Sequence, residues 1–258
     1  MKSITKGLLA VVVFALLLPA CSHHNPGKPR VLVFSKTAGY HHESIAAGNI
    51  AIQKLGSENN FDVDTTTDAT WFTDDSLKKY AAIVFLSTTG DVLDYRQRVA
   101  LERYIQAGGG FVGIHAAADA EYDWHWYGRL VGGYFLDHPG IHDSFPNVQQ
   151  GILNVVDSNN DATRFLPRPW TRKDEFYSYK KLNKDVHVLL TIDETSYKGG
   201  HKMGVHPMAW YHDYDGGRAW YTELGHTNES YTEDNYLKHI LAGIQYAIGG
   251  NNELDYAR

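Results

Sequence analysis

Apolar residues recur along the first half of the chain in short continuous runs: Val31–Phe34, Ala82–Leu86 and Phe111–Ile114. Runs that are apolar at every position suit strands covered on both faces. Phe61–Thr65 alternates instead and predicts a further strand. Between these runs the period changes to that of a helix. Ile45, Gly48, Ile52 and Leu55 fall on one face, Asp74–Tyr80 reads as a short helix with Thr73 or Asp74 as its cap, and Asp94–Ala107 places Leu101, Tyr104 and Ile105 together before Gly108–Gly110 ends it. The order strand–helix, repeated and closing on a strand, predicts an α/β fold with a parallel sheet and helices on both faces. The second half is less regular. Gly151–Val156 and Val186–Ile192 read as strands, and Met208–His212 and Arg218–Thr222 flank Asp213–Gly217 as a hairpin. A closing helix carries Leu237, Ile240, Leu241, Ile244 and Ile248 on one face, with Gly249-Gly250 at its end.

The amino terminus does not share this pattern. Lys2 and Lys6 precede an apolar run, Leu8–Leu18, that is short for a mature membrane span. It ends in Leu18-Pro19-Ala20-Cys21, which resembles a bacterial lipobox. Residues 1–20 are therefore expected to be a lipoprotein signal peptide, Cys21 the lipidated residue, and 21–29 a turn-rich tether. The expected location is the bacterial cell envelope, with membrane contact through the lipid anchor only. The folded unit is expected over 30–250, with 251–258 as a tail.

Cys21 is the only cysteine. The folded unit thus has no disulfide, thiolate ligand or cysteine nucleophile. The net charge is -6, and loss of Lys2 and Lys6 with a leader makes it more negative by two. An acidic domain with no basic cluster argues against nucleic acid as a partner. Nothing in the sequence sets the oligomeric state.

Ligands of open parallel sheets bind beyond the carboxyl ends of the strands. Those ends deliver His41 or His42, Thr88 with Asp91, and His115 with Asp119 to one edge. A helix expected after His115 offers backbone N–H groups that could hold an anion or an oxyanion. Further candidates are Trp124-His125-Trp126, His138 with His142 and Asp143, Asp174-Glu175, His206, and Gly225-His226. No compact zinc-binding spacing is present, although a metal site can assemble from distant histidines and carboxylates.

The segments TAGYHHESI, GGGFVGIHAAAD, DEFYSY and HPMAWYHDYDGGRAWYTELGHT, followed by the apolar helix, resemble the ThuA-like (trehalose utilisation) family over about Arg30 to Gly250. The resemblance implies a flavodoxin-like fold related to class I glutamine amidotransferases, and functional positions at His42, His115, Asp119, Glu175, His206 and His226. Where the amidotransferase relatives keep a cysteine nucleophile, this chain has His115. The resemblance also implies carbohydrate catabolism, with disaccharides or 3-keto-glycosides as substrates. The expected activity is that of a hydrolase, lyase or isomerase working by histidine–carboxylate acid–base chemistry without a cysteine nucleophile. The expected catalytic set is His115, Glu175, Asp119 and His226, with Asp119 orienting a histidine. His42, His206, Tyr40, Trp124 and Trp126 are expected to bind substrate, the aromatics by stacking on sugar. A divalent metal on His42, His115 and His226 is the candidate cofactor. The rival expectation is a carbohydrate-binding lipoprotein without catalysis.

Overall fold

The computed structural model describes residues 27–257. The signal peptide, Cys21 and most of the tether lie outside the described residues. The parallel strands are β1 (Arg30–Phe34), β2 (Asp62–Thr66), β3 (Ala82–Leu86) and β4 (Gly110–Ile114). They alternate with α1 (Ser44–Glu58), α2 (Asp74–Leu77) and α3 (Tyr95–Gln106). Next come α4 (His125–Val131), then β5 (Tyr134–Asp137), β6 (Val148–Val155), β7 (Trp170–Glu175), β8 (Ser178–Lys180) and β9 (His187–Ile192). The chain closes with the hairpin β10 (Pro207–Tyr214) and β11 (Gly217–Thr222), and helix α5 (Asp234–Ile248). Nine strands form one sheet in the order β2-β1-β3-β4-β11-β10-β9-β6-β7. The strands from β2 to β11 pair in parallel, and those from β11 to β7 antiparallel. The expected α/β fold is present, and the antiparallel half extends it.

The apolar runs behave as their pattern requires. Every residue of β3 and β4 is buried. One core lies on the α1/α5 side, around Ile52, Val84, Val112, Ile240 and Ile244. The other lies on the α3/α4 side, around Phe34, Phe85, Leu101, Phe111 and Tyr127. Helix α3 starts with a capping box in which Asp94 accepts from the Gln97 backbone and Gln97 accepts from that of Asp94.

Helix α5 faces the sheet at a different angle from the one its apolar residues suggest. Leu237 and Leu241 are only partly buried, whereas His239, Gly243 and Ala247 face inward. Gly243 explains this: a Cβ there would meet the Trp220 ring at 2.4 Å, so the helix sits closer to the sheet than any side chain would allow.

Strands β7 and β8 were not legible as strands. In β7 the inward positions include Arg172 and Asp174, which pair with each other at 2.9 Å. That polar pair hides the usual alternation.

Candidate functional site

Strand β4 ends at Ile114, and His115 begins a tight 3-10 turn over His115–Asp119. The turn is too short and closed to serve as a long-helix anion site. His115 takes a left-handed backbone conformation, φ 52°. That costs a non-glycine residue on the order of 1 kcal/mol. Two contacts hold it: the Tyr221 hydroxyl donates to the His115 carbonyl at 2.8 Å, and His115 Nδ1 lies 2.7 Å from the Glu223 carbonyl. A carbonyl only accepts, so Nδ1 carries the proton and neutral His115 presents a bare lone pair at Nε2.

Three atoms from three strand ends meet at that lone pair. His115 Nε2 lies 3.1 Å from His226 Nδ1 and 3.4 Å from Glu175 Oε2, and His226 Nδ1 lies 3.0 Å from the same carboxylate oxygen. His42 completes the group, its ring 4.8 Å from that of His115 and 5.2 Å from that of His226. One ligand atom from each of the four residues lies within 4.8 Å of all the others. His42 is turned inward, at 3 % exposure, and its Nδ1 finds no hydrogen-bond partner among the described residues. The neighbouring His41 faces solvent.

Asp174 fixes His226 from behind. Its carboxylate accepts from the backbone N–H groups of Gly225 and His226, both at 3.0 Å, and is neutralised by Arg172. Glu175 is steadied through its second oxygen, which accepts from Asn147 Nδ2 at 2.7 Å and lies 3.5 Å from His138 Nε2.

The protonation pattern follows from burial and charge. Burial, helped by the neighbouring histidines, pushes the His42 pKa down to about 2, so it stays neutral. Burial would raise Glu175, but its contacts with His115 and His226 outweigh it and hold the carboxyl well below the usual range. Burial would lower His226, but the bond to Glu175 and its charge outweigh that and raise it. Burial, reinforced by Asp174, raises Glu223 well above the usual carboxylate range, so it adds no further anion.

This donor set fits a divalent cation. With ligand bonds of about 2.1 Å, the edges of a tetrahedral site are about 3.4 Å, close to the 3.0 to 3.4 Å among His115, His226 and Glu175, with the His42 atom within 4.8 Å of all three. The His115 Nδ1–H bonded to a backbone carbonyl is the outer contact that fixes a metal-binding histidine. The unpartnered Nδ1 of His42 marks a polar group with unmet demand in the same cluster.

The quartet borders a cavity of about 180 Å³ lined by Tyr40, His42, Asp119, Phe135, His138, Asn147, Glu175, Tyr177 and His226. Larger hollows lie elsewhere, such as one of about 640 Å³ between α1 and α5, but they carry no comparable convergence of titratable groups. Tyr40 is 64 % exposed at the rim, with its ring edge against His42. His138 stacks on Tyr177.

Several expected residues are placed differently. Asp119 lines the cavity but orients no histidine: its carboxylate takes the Tyr122 hydroxyl in a short hydrogen bond. Trp124 and Trp126 stack on each other away from the cavity, their indoles donating to Glu102 and Asp215. His206 is a support rather than a wall, with one ring nitrogen 2.7 Å from the Tyr177 carbonyl and the other 2.9 Å from Glu194. Thr88 and Asp91 do not line the cavity. Sequence reasoning missed Phe135, in the short strand β5, and Asn147, in the loop before β6; neither carries a pattern that marks it.

Comparison with known proteins agrees with this architecture. The trehalose-utilisation family model, ThuA, matches residues 30–247. The chain belongs to the ThuA family. The family places this ThuA protein in carbohydrate utilisation. Its fold is similar to that of a ThuA-like protein from Bacteroides uniformis, with TM-score 0.71 and 23% identity over 93% of this chain and 100% of that one. A ThuA-like protein from Parabacteroides merdae gives TM-score 0.69 and 21% identity over 86% and 91%. A cytoplasmic protein from Salmonella typhimurium gives 0.59 and 13% over 84% and 99%. No curated protein matches the sequence.

Proposed function

We propose that this ThuA protein is an envelope-anchored enzyme that acts on 3-keto-glycosides with a divalent metal at His42, His115, Glu175 and His226. The observation that carries the reading is the convergence of these four ligand atoms within 4.8 Å on one wall of a sugar-sized cavity. The bound metal would polarise the C3 carbonyl and stabilise the negative charge that develops on its oxygen.

The chain's own residues supply the rest. A C3 ketone acidifies the hydrogen at C2. Asp119 is the carboxylate of the cavity outside the quartet, and burial raises its pKa despite the Tyr122 hydrogen bond, which strengthens it as a base near neutral pH. Asp119 takes the C2 proton, a C1–C2 double bond forms, and the C1–O bond breaks. The proton now on Asp119 passes to the leaving oxygen, which departs as an alcohol and returns Asp119 to its carboxylate. Water added back across the double bond would complete a net hydrolysis. His138 faces the same cavity with Nδ1 donating to the Pro139 carbonyl, which leaves Nε2 to meet a substrate hydroxyl. Tyr177 and Phe135 provide apolar surface for the ring.

Anchoring through Cys21 suits the shape of the domain. Gly27 is held by Asn251 and Lys28 by Asp62, at the end of the sheet where β1 and β2 begin. The quartet lies at the opposite end, so an anchored domain would present its cavity away from the membrane.

The test is turnover of a chromogenic 3-keto-glucoside by wild type, a chelator-treated sample, Glu175→Gln and Asp119→Asn. Turnover should need the metal and both carboxylates. Full activity in Asp119→Asn and after chelation refutes the proposal; saccharide binding with no turnover of any glycoside returns the carbohydrate-binding reading.

A further inference from the structure

A second cavity lies away from the quartet, on the α5 side of the antiparallel half of the sheet. Its volume is about 230 Å³, and it is lined by Asn160, Asp161, Tyr211, Trp220, Ala242, Gln245 and Tyr246. It shares no residue with the first cavity.

Its chemistry is that of sugar recognition. Tyr211 and Tyr246 meet edge to face at 5.1 Å and give it aromatic walls. Trp220 is 2 % exposed, and its indole N–H is buried with no acceptor among the described residues. A buried indole N–H ordinarily finds a partner. The other five tryptophans divide accordingly: those whose indole bonds are resolved donate to Glu102, Asp215, Glu233 or the Val131 carbonyl. The carboxamides of Asn160 and Gln245 and the Asp161 carboxylate stand among the lining groups. Asn160 spends its side-chain oxygen on the Ala162 N–H, which leaves its NH2 group to donate, and the Gln245 side chain has no protein hydrogen bond among the described residues.

We propose that this cavity is an accessory carbohydrate site that takes one neutral pyranose ring. The ring's C–H face packs on Tyr211 and Tyr246, a hydroxyl oxygen accepts the Trp220 N–H, and other hydroxyls bond Asn160, Asp161 and Gln245. The volume admits one ring and excludes a disaccharide lying flat, so the ligand is a free monosaccharide glycoside or the end residue of a longer glycan.

Titration of the full folded domain with methyl α-D-glucopyranoside and with maltohexaose, followed by calorimetry and by tryptophan fluorescence, tests this. Both sugars are run on wild type, Trp220→Phe, Tyr211→Ala and Glu175→Gln. A weak site, with Kd on the order of millimolar, should persist in Glu175→Gln. It should weaken about fivefold or more in Trp220→Phe, which keeps the ring and removes only the N–H, and in the rim variant Tyr211→Ala. Tighter binding of maltohexaose identifies a glycan end, and equal affinity a free sugar. Loss of all binding in Glu175→Gln overturns the proposal, as does affinity unchanged in both aromatic variants or no binding of either sugar to wild type.

Discussion

A metal bound at the quartet as proposed would compete with protons for the same lone pairs, and the geometry limits how many protons are at stake. His42, with a pKa near 2, carries none to displace. Glu175 is held ionised far into acid. His115 Nε2, His226 Nδ1 and Glu175 Oε2 lie 3.0 to 3.4 Å apart, too close for more than one proton to sit among them. That proton belongs to His226, whose pKa is raised. Binding a divalent ion must expel it, so affinity for Zn²⁺ should fall about tenfold per unit of pH, or about 1.4 kcal/mol, below the raised His226 pKa and level off above it. Competition against a chromogenic chelator between pH 5 and 8 gives the slope directly. His226→Ala should lower affinity at least about tenfold and flatten the curve. A slope near two would mean that a second histidine is protonated in the apo protein, and a slope of zero would mean that the metal sits elsewhere. Either result refutes the reasoning.

Three further outcomes follow from named contacts. His239 is fully buried and neutral, donating from Nδ1 to the Ala162 carbonyl and accepting from Thr222, and burial pushes its pKa down to about 4. The unfolded chain binds its proton near pH 6.5, so the contribution is complete above that pH and is lost as pH falls toward 4, worth about 3 kcal/mol; urea midpoints of wild type and His239→Gln should converge across that window, and parallel curves would contradict it. Asp174→Ala leaves Arg172 without its buried partner and releases two backbone N–H groups at residues 225 and 226, which should cost about 3 kcal/mol in urea unfolding; a loss under about 1 kcal/mol would show that Glu233 and Ser230 suffice for Arg172. Trp126→Ala should leave KM for a glycoside within about twofold of wild type because the ring lies outside the cavity, and a large rise in KM would restore the stacking role expected from sequence.

The parallel half of the fold was legible because its strands are buried on both faces, and continuous apolar runs as short as Ala82–Leu86, set between helical periods, match little else than such strands. The site was legible only where strand ends mark it. His42 and His115 follow β1 and β4 in a sheet type whose ligand edge is known in advance. Glu175 needed family resemblance, since β7 turns Arg172 and Asp174 inward and so lacks an apolar stripe. Asn147 was invisible: it holds Glu175 from an irregular connection, and a loop residue acquires its role only when the fold brings its partner within 2.7 Å. Trp124-His125-Trp126 misled for the opposite reason. A polar–aromatic cluster suggests a sugar platform, but here the two indoles are used to pin α4 to Glu102 of α3 and Asp215 of the β10–β11 turn.

The geometry at His115 accounts for an imidazole at this turn. The His115 backbone is left-handed, and its ring reaches His226 and Glu175 beyond the strand ends. A nucleophile there would need a base beside it and an open face for attack. Here the surroundings are instead three other ligand groups, with Nδ1 spent on a carbonyl and Nε2 pointing at Glu175 and His226. An imidazole so enclosed has one free lone pair and no room to rotate, which suits a fixed ligand and disfavours a residue that must swing between substrate and solvent. Under the proposed function, proton transfer would then fall to the cavity groups outside the quartet, Asp119 and His138.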